Sequence, residues 1–287
     1  MQSLTIQTSD GQSIVATRYD PGQRDGRAGR PAARAVILAP ALGVPQTFYK
    51  RYAQWLADQA CVVYTFDWRG MGQSAPTSLK GYRAKLTDWA QLDAPALMNA
   101  VADAHPGLPL SWFGHSMGGI LYGLMPPHPA IDRVVTLGSG SGYTQHLAKP
   151  LRYSMGFFWN VMVPVSVRMN GYFAGRRLRA VGDLPRGVVA QWRRWCKHPD
   201  FIVSEGDHVR EAYARVKTPI TVVMVADDGL ASREGVRAVH SHYTQADLRW
   251  VTLKPRELGV KAIGHFHFFH PKAGPRVWSV SLPWLGA

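Results

Sequence analysis

A mostly parallel β-sheet covered by helices on both faces is the fold class this sequence predicts, and three observations predict it. Short apolar runs of strand length, at residues 35–39, 61–66, 133–138, 220–225 and 248–253, alternate with stretches of helical apolar spacing. The runs at 35–39, 61–66 and 220–225 read as buried strands, and their alternation with helices implies a sheet covered on both faces. With 287 residues, 46% of them apolar and 18% charged, the chain can bury one large core and still carry an insertion.

The elements follow in order. Residues 3–7 and 13–19 alternate around Ser9-Asp10-Gly11, which reads as a hairpin. Residues 21–34, rich in Gly, Arg, Ala and Pro, read as an exposed loop. Strand 35–39 leaves through the tight turn Pro40-Ala41-Leu42-Gly43, and residues 47–59 carry Phe48, Tyr52, Trp55 and Leu56 at helical spacing. Strand 61–66 runs into Asp67-Trp68-Arg69-Gly70-Met71-Gly72-Gln73-Ser74. A helix over 94–105, opened by Asp93 and Pro95 and closed by Pro106-Gly107, leads to the central stretch. There, over residues 108–125, a buried strand ends at Gly114 and a helix follows Gly118.

The alternation stops near residue 142 and resumes at Pro219. Residues 143–217 hold helical aromatic stretches and no strand, so they read as a helical lid inserted between core segments 1–142 and 218–287. The insertion is basic as well as apolar, with thirteen Lys or Arg against five Asp or Glu, a net charge of +8. After it, residues 232–243 predict a helix and 274–285 a final one, with Pro283 limiting its end.

Composition narrows the function. The net charge of +14 attracts anions, yet no zinc-finger spacing, RNP-like aromatic segment or long basic run accompanies it, so a specific nucleic-acid role is not expected. The N-terminus lacks the basic start and apolar core of a secretory signal, and the apolar stretch 153–167 is too short for a span and interrupted by Asn160 and Pro164. Cys61 and Cys196 form no metal or disulfide pattern and read as reduced residues of a cytoplasmic protein.

Between the central strand and its helix stands Gly114-His115-Ser116-Met117-Gly118, the spacing of a nucleophile elbow. Its strained turn pushes the serine hydroxyl out of the sheet edge, and the backbone passes too close to Gly114 and Gly118 for a Cβ. A serine hydroxyl needs a base to take its proton, and that imidazole needs an acid to fix its tautomer and support its charge. Asp228, just past a strand end, and His265 follow Ser116 in the order such hydrolases use. Asp227 is the rival acid; Asp228 is preferred because Gly229-Leu230 follow it as turn residues. His267 and His270 are rival bases. They form a metal set with His265 only if carboxylates join at ligand spacing, and none does, so no metal is expected. His115, adjacent to the serine, reads as a packing or hydrogen-bonding neighbour. For the oxyanion, the backbone N–H of Met117 is one donor and that of Leu42 the second. Phe157, Phe158, Trp159 and Trp192 of the lid, with Phe266, are candidates to line an apolar slot above Ser116, and packing of the lid on the sheet is the alternative role.

These residues resemble the α/β-hydrolase superfamily. Gly114-His115-Ser116-Met117-Gly118-Gly119, the Asp67 to Ser74 turn, Asp228 and Gly264-His265 carry the likeness over nearly the whole chain. The same turn, with Gln191-Trp192-Arg193-Arg194-Trp195-Cys196 and Gly264-His265-Phe266-His267-Phe268-Phe269, is similar to a bacterial subgroup of serine hydrolases. The resemblance implies an eight-stranded sheet, a triad of Ser116, His265 and Asp228, and substrate choice by the lid. Two departures stand out: Pro40-Ala41-Leu42-Gly43 replaces the commoner His-Gly opening of the oxyanion turn, and no proline follows the acid.

The expected function is cofactor-independent hydrolysis of an ester or related small acyl compound through an acyl-enzyme, with the lid aromatics favouring an apolar chain and its arginines admitting an anionic portion. Acyl transfer to an alcohol or thiol, lyase chemistry without an acyl-enzyme, and non-catalytic ligand binding on the same fold are the alternatives.

Overall fold

A computed structural model describes residues 1–22, 31–178 and 180–287. The expected loop 21–34 falls mostly outside them, as does Arg179. Eight strands form one sheet: β1 (Gln2–Gln7), β2 (Ser13–Tyr19), β3 (Arg34–Ala39), β4 (Cys61–Phe66), β5 (Leu110–His115), β6 (Ile131–Leu137), β7 (Ile220–Val225) and β8 (Leu248–Leu253). Their spatial order is β1-β2-β4-β3-β5-β6-β7-β8. The β1–β2 hairpin joins β4 antiparallel, and every pair from β4 through β8 is parallel. The central place of β5, between β3 and β6, puts the elbow at the middle of the sheet's carboxyl edge, where open α/β sheets hold their ligands.

Strands β3, β4, β5 and β7 are buried along their whole length because both faces of the sheet are covered there. In β3, Ala35, Ile37 and Ala39 pack into one core and Val36 and Leu38 into the other; Val62, Tyr64 and Phe66 of β4 continue the first, Cys61 and Val63 the second. One core holds Trp68, Trp89 and Trp112 and reaches the helices between β6 and β7. The other joins helix Lys50–Asp58 to the C-terminal segment through Tyr49, Tyr52, Phe113, Phe268, Phe269, Trp278 and Trp284.

Several boundaries differ from expectation. Arg34 belongs to β3, not to the preceding loop, and is buried by a two-pronged pair with Asp132 (2.6 and 2.8 Å) and a bond to Ser111 Oγ (2.7 Å). The helix expected to open at Asp93 begins at Leu86 and passes through a π turn, Trp89–Asp93. Asp93 is not its cap, because its carboxylate accepts from Arg69 N and Nε (2.9 and 2.6 Å) inside the core. After the elbow the helix is brief, Met117–Ile120, and tightens into a 3-10 turn, Leu121–Leu124. Pro283 opens the last helix, Leu282–Leu285, rather than closing it. No helix of the described residues is long and apolar enough to cross a membrane.

His240 is fully buried, bonded to Thr136 Oγ1 (2.9 Å) and Val236 O (2.7 Å), and burial lowers its pKa to about 4. The unfolded chain therefore binds a proton near pH 6.5 that the native chain refuses until about 4, so stability is intact above 6.5 and falls as the pH drops through that window. With about 1.4 kcal/mol per pH unit, His240 accounts for roughly 3 kcal/mol of acid destabilisation. Urea denaturation from pH 7 to 4 is expected to show this slope, and His240→Gln to flatten it.

Candidate active site

Ser116 sits at φ 52° and ψ −116°, a left-handed conformation costly for any residue with a Cβ. The surroundings hold it there: Ser116 N–H donates to Leu137 O (2.9 Å), and Ser116 O accepts from Gly119 N, Ile120 N and Ser139 Oγ (3.0, 3.0 and 2.9 Å). The small residues predicted around the serine are required by contact, since a Cβ on Gly114 would overlap the backbone of Gly119, and one on Gly118 the carbonyl of Ala39.

Asp228 lies in the turn after β7. Its Oδ1 accepts from Leu230 N and Ala231 N (2.8 and 2.9 Å), which aims Oδ2 at His265 Nδ1, 2.8 Å away. This bond assigns the Nδ1 proton to the side facing the carboxylate and leaves Nε2 as the lone-pair nitrogen. Asp227 serves the same histidine differently: its two oxygens accept from Ile263 N (2.9 Å) and Gly264 N (3.1 Å), pinning the loop that carries the imidazole. Gly138, at the end of β6, was not singled out from the sequence. It has φ +61°, and a Cβ there would come within 3.2 Å of both Asp228 Oδ2 and the His265 ring. The signal was present, a glycine directly after a buried strand, but nothing in the sequence ties it to this pair.

Ser116 and His265 line one cavity of about 430 Å³, with Leu42 and Met117 in the same wall. The Ser116 hydroxyl has no hydrogen-bond partner among the described residues. His267 and His270 stand outside the cavity, their rings 4.9 Å apart. Among the described residues no group of His, Cys, Asp or Glu could hold a metal.

His115 is a structural neighbour of the serine, as expected, and the hub of a chain of hydrogen bonds. Ala41 N–H donates to Tyr49 OH (2.9 Å), Tyr49 OH donates to His115 Nδ1 (2.8 Å), and His115 Nε2–H donates to His265 O (2.8 Å). Burial holds the His115 imidazole well below its ordinary pKa and pushes the Tyr49 phenol above its own, so both stay neutral and the direction of the chain is fixed. The turn after β3, the elbow and the His265 loop are thereby tied together. Because Ala41 N–H is committed to Tyr49, Leu42 offers the next amide of that turn. Trp68 Nε1 donates to Pro40 O (3.1 Å), and Asp67 accepts from Gln46 N (2.8 Å) and Gln73 N (2.9 Å), so the Asp67 to Ser74 motif braces the turn.

Of the five aromatic candidates, Phe158, Trp159, Trp192 and Phe266 line the cavity. Phe157 does not. The helix that carries it turns Leu151, Met155, Phe158, Trp159 and Met162 inward, and Phe157 falls on the opposite, exposed face. The insertion's arginines also differ from expectation: none of those described lines the cavity. Arg193 donates to Trp159 O (2.7 Å) and Asn160 Oδ1 (3.3 Å), and Arg194 to Glu205 (3.0 Å), so they brace helices instead of meeting a ligand.

The family model described as "Serine aminopeptidase, S33" matches residues 30–254. The chain belongs to this family of α/β serine hydrolases. Solved structures share the fold of this S33-family hydrolase at low identity. Est816, titled an N-acyl homoserine lactone degrading enzyme, is 16% identical with a TM-score of 0.60, over 98% of this chain and 99% of its own. A hydrolase from Pseudomonas aeruginosa PA01 is 18% identical with a TM-score of 0.58, over 100% and 99%. The Pyrococcus furiosus esterase Pf2001 is 16% identical with a TM-score of 0.58, over 99% and 93%. No curated protein matches the sequence.

Proposed function

We propose that this S33-family hydrolase cleaves carboxylic esters with a neutral, apolar acyl group through an acyl-enzyme. The observation that carries the reading is the Asp228–His265 bond of 2.8 Å at the wall of an apolar cavity that also holds Ser116. In this mechanism His265 Nε2 takes the Ser116 proton as Oγ attacks the acyl carbonyl, Asp228 supports the imidazolium, and the amides of Met117 and Leu42 receive the oxyanion. The imidazolium then protonates the departing alkoxide. Water, deprotonated by the same nitrogen, releases the acid and restores the serine.

The family's name mentions an aminopeptidase, which must receive an α-ammonium. Among the described residues the cavity is lined by no carboxylate and no charged side chain, which favours a neutral ester over a peptide N-terminus. Helices Leu151–Phe157, Val163–Asn170 and Arg186–Lys197, between β6 and β7, act in this reading as the cap that selects the acyl group, with residues 1–142 and 218–287 as the catalytic core. No cofactor is called on, and a cytoplasmic place suits two buried free cysteines.

The test is a rate profile over p-nitrophenyl esters of increasing acyl length beside amino-acid p-nitroanilides. For the esters, kcat/KM is expected to rise about fourfold per methylene, from about 0.8 kcal/mol of burial each, until the chain outgrows the cavity. A flat ester profile, or preferred cleavage of the anilides, would overturn the proposal.

A further inference from the structure

The helix that lines the cavity has a second apolar face, and that face is bare. Leu151–Phe157, the π turn Phe158–Met162 and Val163–Asn170 form one continuous helical stretch. Its inner side supplies Leu151, Met155, Phe158, Trp159 and Met162 to the cavity. Its outer side carries Tyr153, Phe157, Val161, Val165 and Met169, exposed by 66, 61, 44, 50 and 79%. These recur every four residues. In a regular helix such a stripe drifts around the axis, and the wider π turn takes up part of the drift. A helix face turned to water is ordinarily charged. This one bears a single exposed charge, Arg168.

The charge around the stripe is one-sided. In sequence, residues 143–182 contain Lys149, Arg152, Arg168, Arg176, Arg177 and Arg179 and no Asp or Glu. Lys149, Arg168, Arg176 and Arg177 are exposed. A bare apolar stripe within a purely cationic segment, on a helix too short and too polar to span a bilayer, has the make-up of a helix that lies in a membrane interface. A second copy of the chain is a poorer occupant, because two molecules of net charge +14 repel each other.

We propose that this helix docks the protein on an anionic lipid bilayer, with Tyr153, Phe157, Val161, Val165 and Met169 entering the headgroup boundary and the surrounding Lys and Arg meeting lipid phosphates. The docking is independent of the esterase reading, since none of these side chains belongs to the Ser116, Asp228 and His265 set.

The experiment is vesicle co-sedimentation of the full chain carrying Ser116→Ala, which removes turnover of lipid. Phosphatidylcholine vesicles containing about one-third phosphatidylglycerol are expected to bind at least about tenfold more tightly than pure phosphatidylcholine, with binding weakened by high salt. The combined substitutions Val161→Ser, Val165→Ser and Met169→Ser should lower that binding at least about tenfold. Placed in the active enzyme, they should leave its melting temperature and its turnover of a short water-soluble ester unchanged. Absence of binding to the anionic vesicles, or wild-type binding by the triple variant, would overturn the proposal. So would a lipid-free dimer that the triple variant dissociates, since the stripe would then be a contact between copies.

Discussion

Ser116→Ala is expected to lower kcat/KM for the best ester by about 10⁴- to 10⁶-fold and to abolish labelling by a fluorophosphonate, while the melting temperature stays within a degree or two of wild type. Both halves follow from the geometry. In the proposed mechanism the hydroxyl is the group that bonds to the acyl carbon, so without it the imidazole has no nucleophile to activate. The fold loses little, because the bonds that hold the residue at φ 52° involve its backbone and the Ser139 hydroxyl, none of which alanine disturbs. An active, unlabelled Ser116→Ala protein would mean that the chemistry lies elsewhere. A wild type whose turnover rises when an alcohol acceptor is added, with the new ester formed in place of the free acid, would favour acyl transfer over hydrolysis.

The second large effect separates two neighbouring acids. Asp228→Asn is expected to reduce kcat by about 10⁴-fold with little change in KM, because an amide NH₂ facing Nδ1 stabilises the tautomer that has its proton on Nε2, where the serine proton must go. Asp227→Asn removes one acceptor from the pair Ile263 N and Gly264 N and leaves the imidazole its partner, so a loss of roughly tenfold or less is expected, accompanied by a lower melting temperature. Steady-state kinetics of the two variants, with thermal melts alongside, decide the assignment. The reverse ranking would move the acid role to Asp227.

The fold was legible because its central strands are buried on both faces. Runs such as Cys61–Phe66 and Ile220–Val225 are buried from end to end, with no exposed face to blur their limits, and each was found at its observed bounds. What the sequence could not show was set by partners distant in the chain. Asp93 has the residue type of a helix cap, but Arg69 claims its carboxylate, and only the tertiary structure brings them together. Phe157 and Phe158 are equivalent in composition and adjacent in sequence, yet one helical step of about 100° sends one to solvent and the other to the cavity. The elbow was readable because its geometry is local, five residues with glycine at each end. Tyr49 was not, because its importance comes from touching Ala41 and His115 at once, separations of 8 and 66 residues.

The C-terminal core has a consequence for how the enzyme comes to life during synthesis. The loop bearing His265 is followed by Phe268, Phe269, Trp278 and Trp284, which fill the core beneath Tyr49 and Tyr52. Chains emerge from the ribosome amino end first, so the serine is out long before this segment arrives to seat the imidazole. Under the proposed mechanism, a nascent chain then carries the Ser116 hydroxyl without its base and is chemically silent. In the proposed mechanism competence therefore waits for residues 265–285, whose aromatic side chains complete one of the two cores that cover the sheet.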